Sequence, residues 1–136
     1  MQPIDQSFHD ALVQWLIFHK SILIGELIPL ALRYLRDNPA SPELDCFDHV
    51  LVDEYQDLNK AEQVLIDLLS GTSTQTLVGD PDQSIYSFRH AHPLGIMTFA
   101  DSHPGTHDEA LVECRRCPSL VVTIADSLIR HNYHPT

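Results

Sequence analysis

Two short strand-length runs, each closed by an acid, constrain this chain more than any other feature. Residues 47–53 read FDHVLVD and residues 74–80 read TQTLVGD. The first has the length and apolar content of a buried strand, and the second reads as a further strand ending in an acid. Between them Asn59 opens a helical segment, with Glu62 three residues on as in a capping box. Ala61, Val64, Leu65, Leu68 and Leu69 recur at helical spacing and Gly71 closes the segment. A strand, a helix and a second strand make a parallel crossover unit, the seed of an α/β sheet.

The rest of the chain fits that class. Residues 7–20, SFHDALVQWLIFHK, are apolar nearly all round and predict a buried helix. Gly25 and Pro29 suit the start of a second helix, with Ile28, Ala31, Leu32 and Leu35 as its stripe and Asn38-Pro39 as its stop. ASPELDC reads as a loop. Pro93 opens a short helix over 93–101, and the polar, turn-rich stretch 101–109 is the best linker. ALVEC, 110–114, predicts a third strand, followed by a helix from Pro118 through Val121, Ile124, Ala125, Leu128 and Ile129 to Asn132.

Charge narrows the function. Eight Lys and Arg face 19 Asp and Glu over 136 residues, a formal net charge of −11. Binding nucleic acid by bulk charge requires the opposite sign. Any such contact is therefore local, or uses residues outside this chain. No apolar run reaches the ~18 residues of a membrane span. The N-terminus lacks the pattern of a secretory signal. Three Cys suit a reducing cytosol, so a cytoplasmic location is expected.

The acids carry the chemistry. Asp53 and Glu54 lie side by side at the C-terminal end of the first strand, the edge where open α/β sheets bind ligands. One can hold a hard cation through its water shell, and the other can deprotonate a water. Solvated strand-end acids are the plain alternative. The second strand delivers Gly79 and Asp80, then Asp82 and Gln83. Parallel pairing would bring the Gln83 amide near the first acids, where it could bridge a phosphate oxygen or a water. Tyr86, Phe88 and Arg89 follow, a combination that stacks single-stranded bases or simply fills a core edge.

DEYQD at 53–57, GDPDQSIYSFRHA at 79–91 and LVECRRCPSLVVTIADSLIRHN at 111–132 resemble motifs II, III and IV of UvrD/Rep/PcrA-type superfamily 1 DNA helicases. The match runs in order from about residue 21 to 132. The resemblance implies a partial RecA-like P-loop NTPase fold, in a motor of two such domains that hydrolyses ATP with Mg²⁺ while moving on single-stranded DNA. It implies that Asp53 holds the metal, Glu54 activates the attacking water, and Gln56 and Asp57 orient them. It assigns Gln83 to the γ-phosphate, Tyr86, Phe88 and Arg89 to DNA, and Arg116 to the phosphate from the second domain. Spacing from Leu111 favours Arg116 over Arg115. Two departures stand out: His90 replaces a Gly, and Cys114-Arg115-Arg116-Cys117 replaces N-Y-R-S.

No G-x-x-x-x-G-K-[ST] loop occurs. The five Gly cannot build one, and Lys20 and Lys60 are the sole Lys. The expectation is an excerpt. Residues 1–104 would be the latter part of the first motor domain, and 105–136 the opening strand and helix of the second. The isolated chain would be inactive and could self-associate through exposed strand edges. A non-enzymatic remnant serving as an interaction module and a metal-dependent hydrolase using Asp53, Glu54, Asp57, Asp80 and Asp82 are the competing readings. Cys114-x-x-Cys117 lacks the second ligand pair of a zinc site.

Overall fold

The computed structural model describes residues 3–85 and 90–133. Its centre is a two-stranded parallel sheet. Strand β1 (His49–Val52) pairs with β2 (Thr74–Leu77), His49 opposite Thr74 and Val52 opposite Leu77. Hydrogen bonds extend the pairing at both ends: Thr74 N donates to Asp48 O (3.1 Å), Val78 N to Val52 O (2.8 Å) and Tyr55 N to Val78 O (3.0 Å). This lateral tie beyond the strands holds the two acidic ends in register.

The crossover is helix α3 (Lys60–Ser70), and its start is as the sequence predicts. Asn59 Oδ1 accepts from Ala61 N (2.9 Å) and Glu62 N (3.1 Å), and Asn59 N donates to Glu62 Oε2 (2.8 Å). These bonds satisfy backbone donors that the first helical turn leaves free. Gly71 ends the helix with φ of +46°, and a Cβ there would meet Leu44 O at 3.0 Å. Helix α2 (Leu27–Asp37) packs on α3 and buries Leu32 and Leu35 from its predicted stripe, with Asn38 as its cap. The segment read as a loop contains a single-turn 3₁₀ helix, Pro42–Asp45. The short helix at 93–101 is two, α4 (Leu94–Met97) and α5 (Phe99–Ser102).

Burial differs from expectation in several places. Helix α1 (Pro3–Phe18) forms, but Phe8, Trp15, Ile17 and Phe18 are exposed and only Leu16 is buried. Both strands alternate exposed and half-buried residues, with Leu51 77% exposed, so neither is sandwiched between two layers. On α3 the most buried positions are Gln63 and Ser70 rather than the apolar stripe. Residues 110–114 form no strand, because none of the described residues pairs with them, and Leu111 and Val112 are exposed. Helix α6 (Ser119–Tyr133) forms as predicted, with Leu120, Val121, Ile124 and Leu128 exposed. The accessible surface is 11227 Å². A compact protein of this mass would show roughly 7,200 Å², so apolar surface predicted to be internal is largely in solvent. No helix of the described residues is long and apolar enough to cross a membrane.

The cap gives a first prediction. Asn59→Ala removes the two hydrogen bonds to Asn59 Oδ1 and should cost about 1 kcal/mol. Urea unfolding followed by circular dichroism checks this, and an unchanged midpoint would contradict it.

Candidate active site

The chain turns sharply where β1 ends. Glu54 has φ of +53° and ψ of +39°, a left-handed conformation that few non-glycine residues adopt. The kink is held locally: Glu54 N donates to Asp53 Oδ1 (2.9 Å), and Asp57 N donates to Glu54 O (2.9 Å), closing a 3₁₀ turn over Tyr55–Asp57. The turn swings Tyr55 and Gln56 inward while leaving Asp53 and Glu54 exposed. Tyr55 meets Phe99 of α5 edge to face, with centroids 6.1 Å apart. Burial, helped by the Asp67 carboxylate, pushes its phenol up to about 12, so it stays neutral.

Gln56 joins the two strand ends. Its side chain is 1% exposed, the deepest in the described chain. Nε2 donates to Glu54 Oε2 (2.8 Å), and Oε1 accepts from Asp80 N (3.0 Å). Ser84 Oγ adds a bond to Gln56 O (3.3 Å). Asp80 caps a second 3₁₀ turn, Pro81–Gln83. Its Oδ1 accepts from Asp82 N (3.0 Å) and its Oδ2 from Gln83 Nε2 (2.7 Å). A continuous relay therefore runs from the Glu54 carboxylate through Gln56 and Asp80 to the Gln83 amide.

Gly79 makes this possible. A Cβ on it would lie 2.5 Å from Gln56 Oε1, 2.9 Å from Ile96 Cδ1 and 3.2 Å from Tyr55 N. Only a bare backbone fits between the buried amide and α4. Nearby, Asp57 Oδ1 is buried without a hydrogen-bond partner. A carboxylate oxygen in that state is costly unless something else meets it.

A second buried amide braces the site from behind. Gln63 Nε2 donates to His92 O (2.9 Å) and, more weakly, to Leu58 O (3.4 Å). His92 N returns a bond to Leu58 O (2.8 Å), and Asn59 bridges Ala91. These bonds hold the segment after residue 90 against the start of α3. The sequence reading missed Gln63, since a Gln beside an apolar stripe looks like a solvated position. The small Gly95, against which the Gln63 amide packs, was its only trace.

The structure thus gathers Asp53, Glu54, Gln56, Asp57, Asp80 and Gln83 at one edge of the parallel pair. Tyr86, Phe88 and Arg89 lie outside the described residues. His90, in the place of the pattern's Gly, has φ of +61°, so the backbone there keeps a conformation that Gly would accept freely. Arg115 is paired with Glu113 (3.0 Å) and Arg116 is exposed. Among the described residues, no hydrogen bond or ion pair links Arg116 to the acids. No group of three His, Cys, Asp or Glu side chains among the described residues is set for a metal. A single carboxylate such as Asp53 still suits Mg²⁺, which keeps most of its waters and takes phosphate oxygens as further ligands.

Residues 5–104 match the UvrD/REP helicase N-terminal domain. This chain belongs to the UvrD/REP helicase family. It is 39% identical over 112 residues to the ATP-dependent DNA helicase Rep of Buchnera aphidicola subsp. Baizongia pistaciae, covering 80% of this chain and 17% of that protein. It is 37% identical over 87 residues to the ATP-dependent DNA helicase PcrA of Leuconostoc citreum, and 39% identical over 87 residues to DNA helicase II of Escherichia coli K12. Each of these two matches covers 63% of this chain and 12% of the relative. The chain therefore spans less than a fifth of the length of these relatives. Family membership agrees with the parallel α/β unit and with acids at its strand ends.

Gly79→Ala should break the Gln56–Asp80 bond and cost about 1–3 kcal/mol through overpacking. Amide exchange at Asp80 should accelerate in that variant. Wild-type protection at Asp80 would mean the buried amide does not depend on the gap.

Proposed function

We propose that these residues form the hydrolytic edge of an ATP-dependent DNA helicase motor, within a longer protein that supplies the phosphate-binding loop. The relay from Glu54 to Gln83 carries this reading. It couples a candidate base on one strand end to a candidate phosphate sensor on the next. In this reading the fold is part of a RecA-like P-loop NTPase domain. Residues 53–57 and 79–91 serve as motifs II and III, residues 111–132 serve as motif IV, and the boundary between motor domains falls near 104. Support comes from the parallel pairing, the family match and the relatives, which are named as ATP-dependent DNA helicases.

Each side chain then has a task. Asp53 would hold Mg²⁺, which would supply positive charge against the nucleotide phosphates. Glu54 accepts the proton of the attacking water. Gln56 fixes the Glu54 carboxylate by donating to one of its oxygens, so the other faces the water. Asp57, with its unpartnered buried oxygen, would help orient the group held by Asp53. Gln83 donates to the γ-phosphate, at the expense of its present bond to Asp80. That exchange gives the relay two states, and it is the means by which nucleotide state reaches Tyr86, Phe88 and Arg89 at the DNA. Arg116 approaches the phosphate from the second domain as a charge-stabilising donor. The acidic balance of the chain places most of the DNA-binding charge elsewhere in the motor. A cytoplasmic role in DNA processing such as repair accords with this reading.

The test is ATP hydrolysis by the longer gene product with and without single-stranded DNA. Glu54→Gln should lower the stimulated rate by about 10²–10⁴-fold while nucleotide binding persists. The purified 136 residues alone should show negligible turnover, since their sequence has no G-x-x-x-x-G-K-[ST] loop to cradle a triphosphate. Stimulated hydrolysis unaffected by Glu54→Gln would remove Glu54 as the base. A folded longer protein with no hydrolysis would favour the non-enzymatic interaction module.

A further inference from the structure

The Cys114-Arg115-Arg116-Cys117 segment is unused by the hydrolytic site as a pair of thiols. Both cysteines are free, Cys114 exposed and Cys117 half-buried. Cys114 precedes and Cys117 closes a bend at 115–117 that leads into α6, and residues 106–118 carry neither helix nor strand. The Cys114 sulfur faces the backbone N–H groups of Cys117 and Arg116 and the Cys117 thiol. Two thiols three residues apart, turned toward each other over a bend, need only a local rotation to bond. Nothing ladder-bonded has to move. Metal binding is the weaker use, because among the described residues no third His, Cys, Asp or Glu joins the pair.

We propose that Cys114 and Cys117 form a reversible dithiol–disulfide site whose oxidant is a low-molecular-weight disulfide. Cys114 is the attacking residue, as the exposed member, and Cys117 resolves. The Cys114 thiolate attacks one sulfur of the small disulfide. That S–S bond breaks, and one thiolate leaves and takes a proton from water. Cys117 loses its proton to solvent and attacks Cys114 Sγ, releasing the second small thiol. The protein dithiol is oxidised by two electrons and one disulfide is reduced to two thiols. The N–H groups of Cys117 and Arg116, together with the neighbouring thiol, hold the Cys114 thiol below its usual range, which raises its thiolate fraction at neutral pH. Cys46 provides an internal comparison: it is exposed, but its thiol points to Glu43 O (3.2 Å) and has no second thiol beside it. Closure of the four-residue ring fixes the backbone that carries Arg116. Its effect on hydrolysis rests on the phosphate role proposed above, whereas the thiol chemistry stands apart from that role.

The experiment equilibrates the 136-residue chain with mixtures of reduced and oxidised glutathione, quenches in acid, alkylates and maps peptides by mass. A species lighter by two hydrogens, linking Cys114 to Cys117, should grow with the share of oxidised glutathione. Cys117→Ser should stall as a glutathione adduct at Cys114 that forms several-fold faster than the adduct at Cys46. Cys114→Ser should give no linked species. Circular dichroism of both variants should match the wild type, since the bend lies outside the packed elements. Adducts spread evenly over Cys46 and Cys114 with no internal link would overturn the proposal. A stalled adduct on Cys117 rather than Cys114 would overturn the assignment of the attacking residue. Because the readout is mass, it remains decisive even if the longer protein shows no ATP hydrolysis.

Discussion

A single buried amide organises the chemistry of this chain. Gln56 has almost no contact with solvent, yet each end of its side chain meets a polar partner, a carboxylate on one strand end and a backbone N–H on the other. A buried amide left unpaired would cost more than either bond contributes, so the arrangement is all or nothing. That cooperativity fixes the distance between two loops that share only four paired residues each along the sheet. The left-handed turn at Glu54, the bare backbone at Gly79 and the cap made by Asp80 each serve the same geometry from a different side.

The described structure is tied by hydrogen bonds at its acidic edge and open elsewhere. Capping at Asn59 and the brace from Gln63 secure the crossover helix and the segment after residue 90. Helices α1 and α6, by contrast, show apolar faces that nothing in the described residues covers. A chain that spans less than a fifth of its relatives' length gains most of its order from local hydrogen bonding around the site, not from a large core.

Much of this was legible in the sequence where local chemistry decides the outcome. The alternation of strand, helix and strand, the Asn59–Glu62 box, the Gly71 stop and the stripe on α2 all depend on residues within a turn or two of each other. Burial was harder to read, because it depends on what lies across from each face. The apolar character of 7–20 and 47–53 indicates surfaces that favour burial, but it does not supply the partner. ALVEC failed as a strand for the same reason, since a strand needs a neighbour to bond with. The acids at both strand ends were readable by position. The Gln56 bridge was not, because it depends on a 3₁₀ turn and a missing Cβ that no periodicity announces. The deep burial of Gln63 escaped for a related reason: hydropathy ranks it with surface residues, while its shorter carbonyl bond, to His92, comes from the chain far downstream.

The backbone at Glu54 also ranks the replacements that mutation can offer there. A positive φ is tolerated by Gly and, at modest cost, by Asn and Asp, while β-branched side chains clash with their own carbonyl. Most neighbouring codons that would turn the site apolar therefore damage the turn as well as the carboxylate. A lineage that abandoned the chemistry could keep this loop only by drifting toward small, amide-like or achiral residues, so a decayed copy would carry a recognisable scar at this position.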